Sequence, residues 1–384
     1  MIKVAFLVPD NRQEFRKWDL PAPVFGPAPQ ALLDGLAQAP DCEVHVIFCL
    51  KRPLPVPERA APNIFLHALP VGPAGYMKSF YQGCLRAIRR EVRRLKIDVV
   101  HGQGSERFPA YCAARSGLPN VITLHGNMRE LARLNRVRPF SFHWIAARFE
   151  EYSVRRTGGV VCITSYTQRL VEDTARRTWV VPNAVDESFF NVSREPATPL
   201  EIVCAAHVMP RKNQIALVHA LSPLADKFKF KLRFFGMVGD DSYSREFVEL
   251  VQRHTWCEGP RSLSHADLRR ELSRASLLVL PSLEDNCPMV ILEAMASGLP
   301  VAASRVGGIP ELIESSISGW LFDPHDPESI RSSIRQFLES PNGAQNIAQT
   351  ARSVAARRFR PKVVAERHME IYREMLASSD CKRR

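Results

Sequence analysis

The segment from residue 281 to residue 304 constrains the fold of this chain most, because its pattern predicts a turn, a helix and a buried strand in direct succession. Upstream, residues 275 to 280 form a short apolar run that ends at Pro281, which is typical of a strand buried on both faces. Gly298 ends the predicted helix, and the second apolar run begins at once. Two buried strands joined by a helix indicate a crossover unit of a parallel sheet.

The start of this predicted helix is suited to bind a phosphate group. We expect Asn286 to cap the helix and Pro288 to lie in its first turn, where a missing N–H costs nothing. Free backbone N–H groups and the positive end of the helix dipole would then face a ligand. Glu293, one to two turns later, would reach a sugar or ribose hydroxyl. The residues predicted to line the phosphate are Asn286, Cys287, Pro288, Met289 and Val290.

Apolar runs alternate with helical patterns along the whole chain, which predicts parallel sheets with crossover helices. The predicted strands of the first half are 3–9, 42–48, 63–69, 98–102, 120–126, 159–164 and 178–183. Those of the second half are 201–208, 229–236, 276–280, 300–304 and 320–322. A stretch rich in Pro, Asn and Ser at 182–200 indicates a linker. We therefore expect domains at 1–185 and 186–358, followed by a C-terminal helical segment at 359–384.

Composition narrows the class of protein. The net charge is +12, and most of the excess lies in the first half, so an anionic partner is expected. The nine cysteines include no Cys-x-x-Cys pair, which argues for a reducing compartment and against a disulfide framework or a Cys-rich zinc site. No apolar run approaches the ~18 residues of a membrane-spanning helix. A soluble, cytoplasmic protein is the expectation.

Residues 76 to 97 have apolar residues at helical spacing and cations along much of the remaining surface. A basic amphipathic helix can lie on anionic lipid, which would make this stretch a peripheral membrane contact. The same pattern fits a helix whose apolar stripe packs on its own sheet and whose charges face water. The sequence leaves both interpretations open.

The segment at 281–304 resembles the donor-site signature of the retaining glycosyltransferases of family 4. Their pattern is an acid, seven further residues, and then Glu-Ala-Met-Ala-x-Gly-x-Pro-Val. Asp285 and Glu293 stand eight positions apart and fit it. The first acid is usually Glu in the family, and here Glu284 precedes Asp285, so either carboxylate could take that role. The resemblance implies the GT-B architecture, in which two Rossmann-like, doubly wound α/β domains face a central cleft. It also implies that the domain at 1–185 binds the acceptor and the domain at 186–358 the nucleotide-sugar, and that the C-terminal helix at 359–384 crosses back to pack on the first domain.

A second resemblance to the family lies at residues 204 to 221, where a predicted strand ends in a basic loop before a helix. Lys212 matches the family lysine that neutralises the departing diphosphate, and a fixed cation near a developing negative charge lowers the barrier. The family commonly has Gly-Arg where this chain has Ala206 and His207. Arg211, or His207 if protonated, could supply the second positive charge.

Other positions carry weaker family patterns. His125 follows a predicted strand, where open α/β sheets bind ligands, and the resemblance implies that it contacts the transferred sugar. Residues 307 to 311 resemble the family loop that follows the next strand. Many relatives have a Gly-Gly loop in the first strand–helix connection, close to donor and acceptor. Of that loop, only Gly26 remains in this chain. Gly236 and residues 259 to 263 are candidate nucleotide contacts.

The resemblance implies a retaining transfer of a hexosyl-type sugar from a nucleotide-sugar, with UDP favoured, to a saccharide or lipid-linked saccharide of cell-surface polysaccharide or lipopolysaccharide. Glu293 would bind the ribose and Lys212 the diphosphate, while Asp285 and His125 would hold the sugar. The usual proposal is front-face attack, in which the leaving phosphate oxygen accepts the acceptor's proton. The sequence contains no Asp-x-Asp triplet, so we expect neither a metal nor another cofactor.

Three alternatives remain at this point. A relative of the same fold could carry out other chemistry, such as epimerisation of a sugar nucleotide, which needs no acceptor. The chain could also be a relative without catalytic activity, because Ala206 and His207 stand where the family commonly has Gly-Arg. The sequence pI of 9.5 also suggests nucleic-acid binding as an alternative. No recognisable binding motif supports this alternative, and we expect no nucleic-acid partner.

Overall fold

Two α/β units make up the chain. The computed structural model describes residues 1–341 and 343–380, so Cys381 and the end of the predicted 359–384 segment lie outside the described residues. The first unit comprises Met1–Ala184 and the segment from Pro361 onward, and the second comprises Val185–Arg360. None of the described helices combines the length and the apolar character that crossing a bilayer requires.

The first unit is built on an eight-stranded sheet with the order β3-β4-β2-β1-β5-β6-β7-β8, in which only β3 is antiparallel to its neighbour. Its strands are β1 (Ile2–Leu7), β2 (Cys42–Leu50), β3 (Arg59–Ala61), β4 (Ile64–Pro70), β5 (Val99–Gln103), β6 (Asn120–Leu124), β7 (Val160–Cys162) and β8 (Thr178–Val180). Its first seven helices are α1 (Arg12–Phe15), α2 (Pro27–Leu36), α3 (Gln82–Arg94), α4 (Phe108–Ala114), α5 (Met128–Leu134), α6 (Phe142–Arg156) and α7 (Ser165–Val171).

The second unit has a six-stranded, wholly parallel sheet with the order β11-β10-β9-β12-β13-β14. Its strands are β9 (Leu200–Ala205), β10 (Phe230–Phe235), β11 (Cys257–Arg261), β12 (Leu277–Leu280), β13 (Val301–Ser304) and β14 (Trp320–Phe322). Its helices are α8 (Gln214–Ala225), α9 (Ser242–Gln252), α10 (His265–Arg274), α11 (Met289–Ala296), α12 (Pro327–Glu339) and α13 (Ala344–Arg358).

The last helix, α14 (Pro361–Asp380), packs in the core of the first unit. It lies against α2 at Gly35, where an added Cβ would come within 2.1 Å of the Pro361 carbonyl oxygen. Tyr372 from α14 is fully buried, and its hydroxyl lies 2.7 Å from Nδ1 of His101 on β5. Burial of these apolar and aromatic side chains explains why the C-terminal segment belongs to the first unit although it follows the second in sequence.

The stretch at 76–97 contains α3, and the structure decides between its two interpretations. The apolar residues Cys84, Leu85, Ile88 and Val92 are buried against the sheet. The apolar stripe is therefore covered by the protein itself and is not available to lipid. The membrane contact considered for this stretch is not shown, because α3 buries its apolar face, although Phe80, before the helix, is 59% exposed.

The connection between β1 and α2 is organised by a buried ion pair. The Arg12 guanidinium contacts the Asp10 carboxylate through Nε and Nη2, at 2.9 and 2.7 Å, and both side chains are fully buried. Nη1 of Arg12 also donates to the carbonyl oxygens of Leu20 and Pro55, at 2.8 and 2.9 Å. A single arginine thereby ties together three parts of the chain that have no regular hydrogen-bond ladder between them.

Candidate functional site

The carboxyl edge of the second sheet brings together the two segments that the sequence analysis singled out. The chain runs from β9 to β10 and β11 on one side of β9, and then from β12 to β13 and β14 on the other. The order of the strands therefore reverses between β9 and β12. Open α/β sheets bind ligands at such a switch point, outside the carboxyl ends of the strands. The loop that carries Lys212 follows β9, and the loop that carries Asp285 follows β12.

Lys212 and Asp285 form an ion pair at this switch point. Nζ of Lys212 donates to Oδ2 of Asp285, and the two side chains are 13% and 12% exposed. The hydroxyl of Ser282 donates to the same oxygen at 3.1 Å, and the backbone N–H of Asn286 donates to Oδ1 at 3.2 Å. The carboxylate is thus held in one orientation by three donors. The sequence predicted both residues as site residues but did not predict that they pair.

Arg211 and Glu284 form a second, adjacent pair. Nη1 of Arg211 donates to the Glu284 carbonyl oxygen at 2.8 Å and lies 3.2 Å from its Oε2, whereas it is 3.9 Å from Oδ1 of Asp285. The carbonyl oxygen of Arg211 in turn accepts from the backbone N–H of Leu283 at 2.8 Å. The neighbouring acids are therefore distinguished by their partners, since Asp285 faces the lysine and Glu284 faces the arginine.

The loop after β13 holds the backbone of Asp285 in place. Gly307 has a φ of +54°, and an added Cβ would come within 1.9 Å of the Asp285 carbonyl oxygen. The backbone N–H of Gly308 donates to that oxygen at 3.1 Å. Gly307 thus lets the loop at 307–311 approach the backbone of Asp285 closely. This contact positions Asp285 at the edge of the sheet.

Helix α11 begins two residues later than the sequence analysis predicted. Pro288 is the N-cap residue, with the extended ψ of 118°, rather than a residue of the first turn. Asn286 is therefore not the cap, and its backbone N–H is directed to the Asp285 carboxylate instead. Asn286, Cys287 and Val290 are buried. Met289 and Val290 begin the helix, where backbone N–H groups have no carbonyl one turn earlier to donate to.

Glu293 lies one turn into α11 with only 3% of its surface exposed. Its Oε1 is 2.9 Å from Nε2 of His265, the first residue of α10. The hydrogen bond to Glu293 raises the pKa of His265, and the nearby Asp186 carboxylate, at 4.0 Å, acts in the same direction. The sequence analysis missed His265, because no spacing rule relates the start of one helix to the middle of another 28 residues away.

The raised pKa of His265 predicts a pH-dependent contribution to stability. The pair stabilises the folded state below the ordinary histidine value of 6.5, and this contribution is lost as the pH rises through the raised folded-state pKa. Glu293 and Asp186 favour the charged ring, and Arg269 opposes it. We expect His265→Gln to destabilise the protein by up to about 1 kcal/mol at low pH and by less at high pH, as for partly exposed pairs.

Urea denaturation of wild type and His265→Gln, at about pH 5.5 and about pH 8.5, measures this difference. His254→Gln is a suitable control, since no carboxylate pairs with His254 in the described part of the chain. An equal loss for His265→Gln at both pH values would contradict the assignment.

His207 and Gly236 lie beside the same sheet edge but have structural partners. Burial, together with the nearby Lys212 ammonium, lowers the pKa of His207, so at neutral pH this residue does not supply the second positive charge considered from the sequence. Its carbonyl oxygen accepts from Nε2 of Gln214 at 2.9 Å. Gly236 has a φ of +148°, and an added Cβ would come within 2.0 Å of the Ala206 carbonyl oxygen.

His125 and Gly26 belong to the first unit, and each is described within it. His125 follows β6, and its Nε2 lies 2.8 Å from Oε1 of Gln103. An amide oxygen can only accept, so Nε2 carries the proton. Burial lowers the pKa of His125 to about 4, which keeps the ring neutral. Gly26 is the N-cap residue of α2, with an ordinary φ of −64°.

Glu106 is a further half-buried group near His125 that the sequence analysis did not identify. Burial raises the pKa of its carboxyl group, although backbone N–H groups of Ser105, Glu106 and Gly126 hydrogen-bond to it. An added Cβ at Gly126 would come within 2.9 Å of Oε1 of Glu106. The glycine that follows His125 therefore makes room for a carboxylate at the carboxyl edge of the first sheet.

Two family models match the chain. Residues 185–354 match the model described as glycosyl transferases group 1, and residues 30–189 match the model described as glycosyltransferase family 4. The chain is 31% identical over 140 residues to WcaL of Escherichia coli K12, whose name assigns it a glycosyltransferase role in colanic acid biosynthesis. That match covers 35% of this chain and 34% of WcaL. Matches to the first curated relatives span 34% to 62% of those proteins' lengths.

Solved structures share the fold at low sequence identity. Sucrose-phosphate synthase from Thermosynechococcus elongatus has a TM-score of 0.77 and 17% identity, covering 98% of this chain and 100% of that chain. HepE from Anabaena, in complex with UDP-glucose, has a TM-score of 0.69 and 18% identity, covering 98% and 100%. These likenesses confirm the predicted GT-B fold class with two doubly wound α/β domains.

Proposed function

Because the chain belongs to the family 4 glycosyltransferases, with a group 1 domain in its second half, we propose that it transfers a sugar from a nucleotide-sugar to a saccharide or lipid-linked saccharide. The product would be a cell-surface polysaccharide or lipopolysaccharide. UDP is the favoured donor nucleotide, and the anomeric configuration would be retained. The colanic acid role in the name of WcaL and the UDP-glucose bound by HepE support this choice of pathway and donor.

The observation that carries the proposal is the Lys212–Asp285 pair at the switch point of the second sheet. A diphosphate at this edge would meet the Lys212 ammonium and the positive end of α11. As the bond between the anomeric carbon and the diphosphate oxygen breaks, Lys212 would stabilise the charge that develops on that oxygen. Asp285, released from the lysine, would accept a hydrogen bond from a sugar hydroxyl.

The acceptor hydroxyl would form the new bond to the anomeric carbon, and its proton would pass to the leaving phosphate oxygen. Glu293 would accept from the ribose hydroxyls with the carboxylate oxygen that His265 does not occupy. His125, with its proton on Nε2, is a neutral group suited to contact the transferred sugar. No metal or other cofactor belongs to this proposal, because Lys212 and α11 already supply positive charge to the diphosphate.

A thermal-shift experiment tests the donor site. Wild type, Glu293→Gln and the control Glu339→Gln, an exposed acid of the same unit, are heated with UDP, GDP, ADP and their common sugar conjugates. A nucleotide at a hundred times its dissociation constant stabilises its target by about 2.7 kcal/mol. We expect UDP compounds to stabilise wild type and the control but to lose most of this effect with Glu293→Gln. Stabilisation by none of the nucleotides, or an equal effect on all three proteins, would contradict the proposal.

A further inference from the structure

The carboxylate of Glu293 is held from one side only. Its Oε1 lies 2.9 Å from Nε2 of His265, whereas no donor lies within hydrogen-bond distance of Oε2 among the residues that the structure describes. Only 3% of Glu293 is exposed, so water reaches the carboxylate poorly. An acceptor of this kind that lacks partners costs free energy. A ligand that carries hydroxyl groups would supply the missing hydrogen bonds at Oε2.

His265 is the more exposed partner of this pair. Its side chain is 38% exposed, so the ring can carry a charge in contact with water while the carboxylate of Glu293 stays buried. The hydrogen bond to Glu293 raises the pKa of His265, which favours the charged ring. A charged donor forms a shorter and stronger hydrogen bond than a neutral one. The contact therefore fixes the direction in which the Glu293 carboxylate faces.

The backbone of His265 is fixed by the start of α10. Ser264 is the N-cap residue of this helix, and its hydroxyl oxygen accepts from the backbone N–H of Asp267 at 3.1 Å. The same hydroxyl donates to Oδ2 of Asp267 at 2.7 Å. A serine and an acid three residues apart commonly pair at a helix start and hold its first turn. His265, the first residue of α10, therefore has a defined position.

The ring of His265 is held on two further sides by the segment that begins the second unit. Its Nδ1 lies 4.0 Å from Oδ2 of Asp186, and its centre lies 5.0 Å from that of the Phe189 ring. Asp186 is itself held, since its Oδ1 accepts from the backbone N–H of Ser188 at 2.8 Å. Arg269, one turn further along α10, donates to the Ser188 hydroxyl. The ring therefore has little freedom to turn away from the carboxylate.

We propose that His265 is the positioning residue of Glu293 and thereby determines how strongly the protein selects a ribose over a sugar that lacks the ribose hydroxyls. His265 holds Oε1, so that Oε2 is directed to these hydroxyls before the nucleotide binds. An orientation that is fixed in advance removes the cost of ordering the side chain on binding. This inference rests on the proposed function, in which Glu293 binds the ribose, and adds a residue that lies outside the family pattern at 281–304.

Two other roles of His265 would give different results. A histidine that contacted the diphosphate directly would strengthen the binding of every nucleotide, whatever its sugar. A histidine that only stabilised the fold would change the melting temperature and leave the selection for ribose as it is. The comparison of one nucleotide with and without its ribose hydroxyls therefore separates the three roles.

Isothermal titration calorimetry of the full chain with UDP and with 2′,3′-dideoxy-UDP measures this selection. We expect wild type to bind UDP about tenfold to a hundredfold more tightly than the analogue, as for hydrogen bonds to a charged group. His265→Leu should lower this ratio about threefold to tenfold, which is the cost of ordering one side chain on binding. His265→Gln keeps an N–H donor and should recover most of the ratio. His254→Leu, at a histidine that stacks on Trp256, is the control and should bind like wild type.

A double-mutant cycle shows whether His265 acts through Glu293. Glu293→Gln should remove most of the selection, and the added His265→Leu should lower the ratio no further, because the carboxylate that His265 orients is gone. Melting temperatures are recorded for every variant. His265→Asn, whose side chain is too short to reach Oε1, gives the same measurement if the leucine variant is unfolded. The inference is overturned if His265→Leu keeps the wild-type ratio, if it weakens both nucleotides alike, or if the two changes lower the ratio independently.

The same titrations distinguish this inference from the proposed function. A wild-type protein that binds UDP and the dideoxy analogue equally, or binds neither, would overturn the assignment of Glu293 to the ribose and the role of His265 with it. A wild-type protein that selects the ribose, with the same selection in His265→Leu, would overturn only the role of His265 and leave the donor site standing.

Discussion

Replacement of Lys212 by methionine is expected to lower the turnover rate by about a hundredfold to a thousandfold. This is the effect of removing one group that stabilises the charge of a transition state. Methionine keeps much of the length of the side chain but removes its charge beside the leaving diphosphate oxygen. Release of free nucleotide from the donor by hydrolysis, in which water takes the place of the acceptor hydroxyl, measures the rate. Melting temperatures recorded in parallel show whether each variant is folded at the assay temperature.

Arg211→Met and Lys212→Arg are the matched controls for this result. The Arg211 guanidinium is engaged by Glu284, so we expect its loss to cost less than about tenfold in rate. Lys212→Arg retains a cation beside Asp285 and should recover part of the activity. A Lys212→Met variant that is folded and nearly as active as wild type would contradict the role assigned to this lysine.

Replacement of Arg12 by methionine is expected to destabilise the first unit by about 3–5 kcal/mol, because it leaves the Asp10 carboxylate buried without its partner. The carbonyl oxygens of Leu20 and Pro55 lose their donor at the same time. For a unit of this size we expect the melting temperature to fall by roughly 6 to 20 °C. Scanning calorimetry measures the shift in the transition of this unit.

Lys3→Met is the control, since Lys3 pairs with Glu43 in a partly exposed position and its loss should cost at most about 1 kcal/mol. Arg12→Met/Asp10→Leu removes both charges and should recover much of the lost stability, because no buried charge is left unpaired. Equal melting temperatures for wild type and Arg12→Met would show that the pair does not organise the connection after β1.

The sequence predicted the sheet architecture well where strands are buried on both faces, as in β9 and β12, because such strands are continuous apolar runs. It missed β3 and β11, which lie at the edges of their sheets. In β11 only Cys257 is buried, and Gly259 and Pro260 interrupt the pattern. Edge strands are held by backbone hydrogen bonds on one side, so their side chains carry little apolar signal.

The site could be predicted only in part. The spacing of Asp285 and Glu293 identified the loop and the helix, but the pairing of Lys212 with Asp285 joins loops 73 residues apart. Such pairings depend on which strands are neighbours, and no local pattern encodes that order. The start of α11 was misplaced because Asn286 is a residue type preferred at the N-cap, whereas the actual N-cap residue, Pro288, has no side-chain acceptor for a capping hydrogen bond.

A crystal structure of the protein with bound UDP tests the central claim most directly. We predict that the diphosphate oxygens contact Nζ of Lys212, that the Lys212–Asp285 pair opens, and that the ribose hydroxyls donate to Glu293. A nucleotide bound elsewhere, with the pair intact and Glu293 contacting only His265, would contradict the assignment of the donor site.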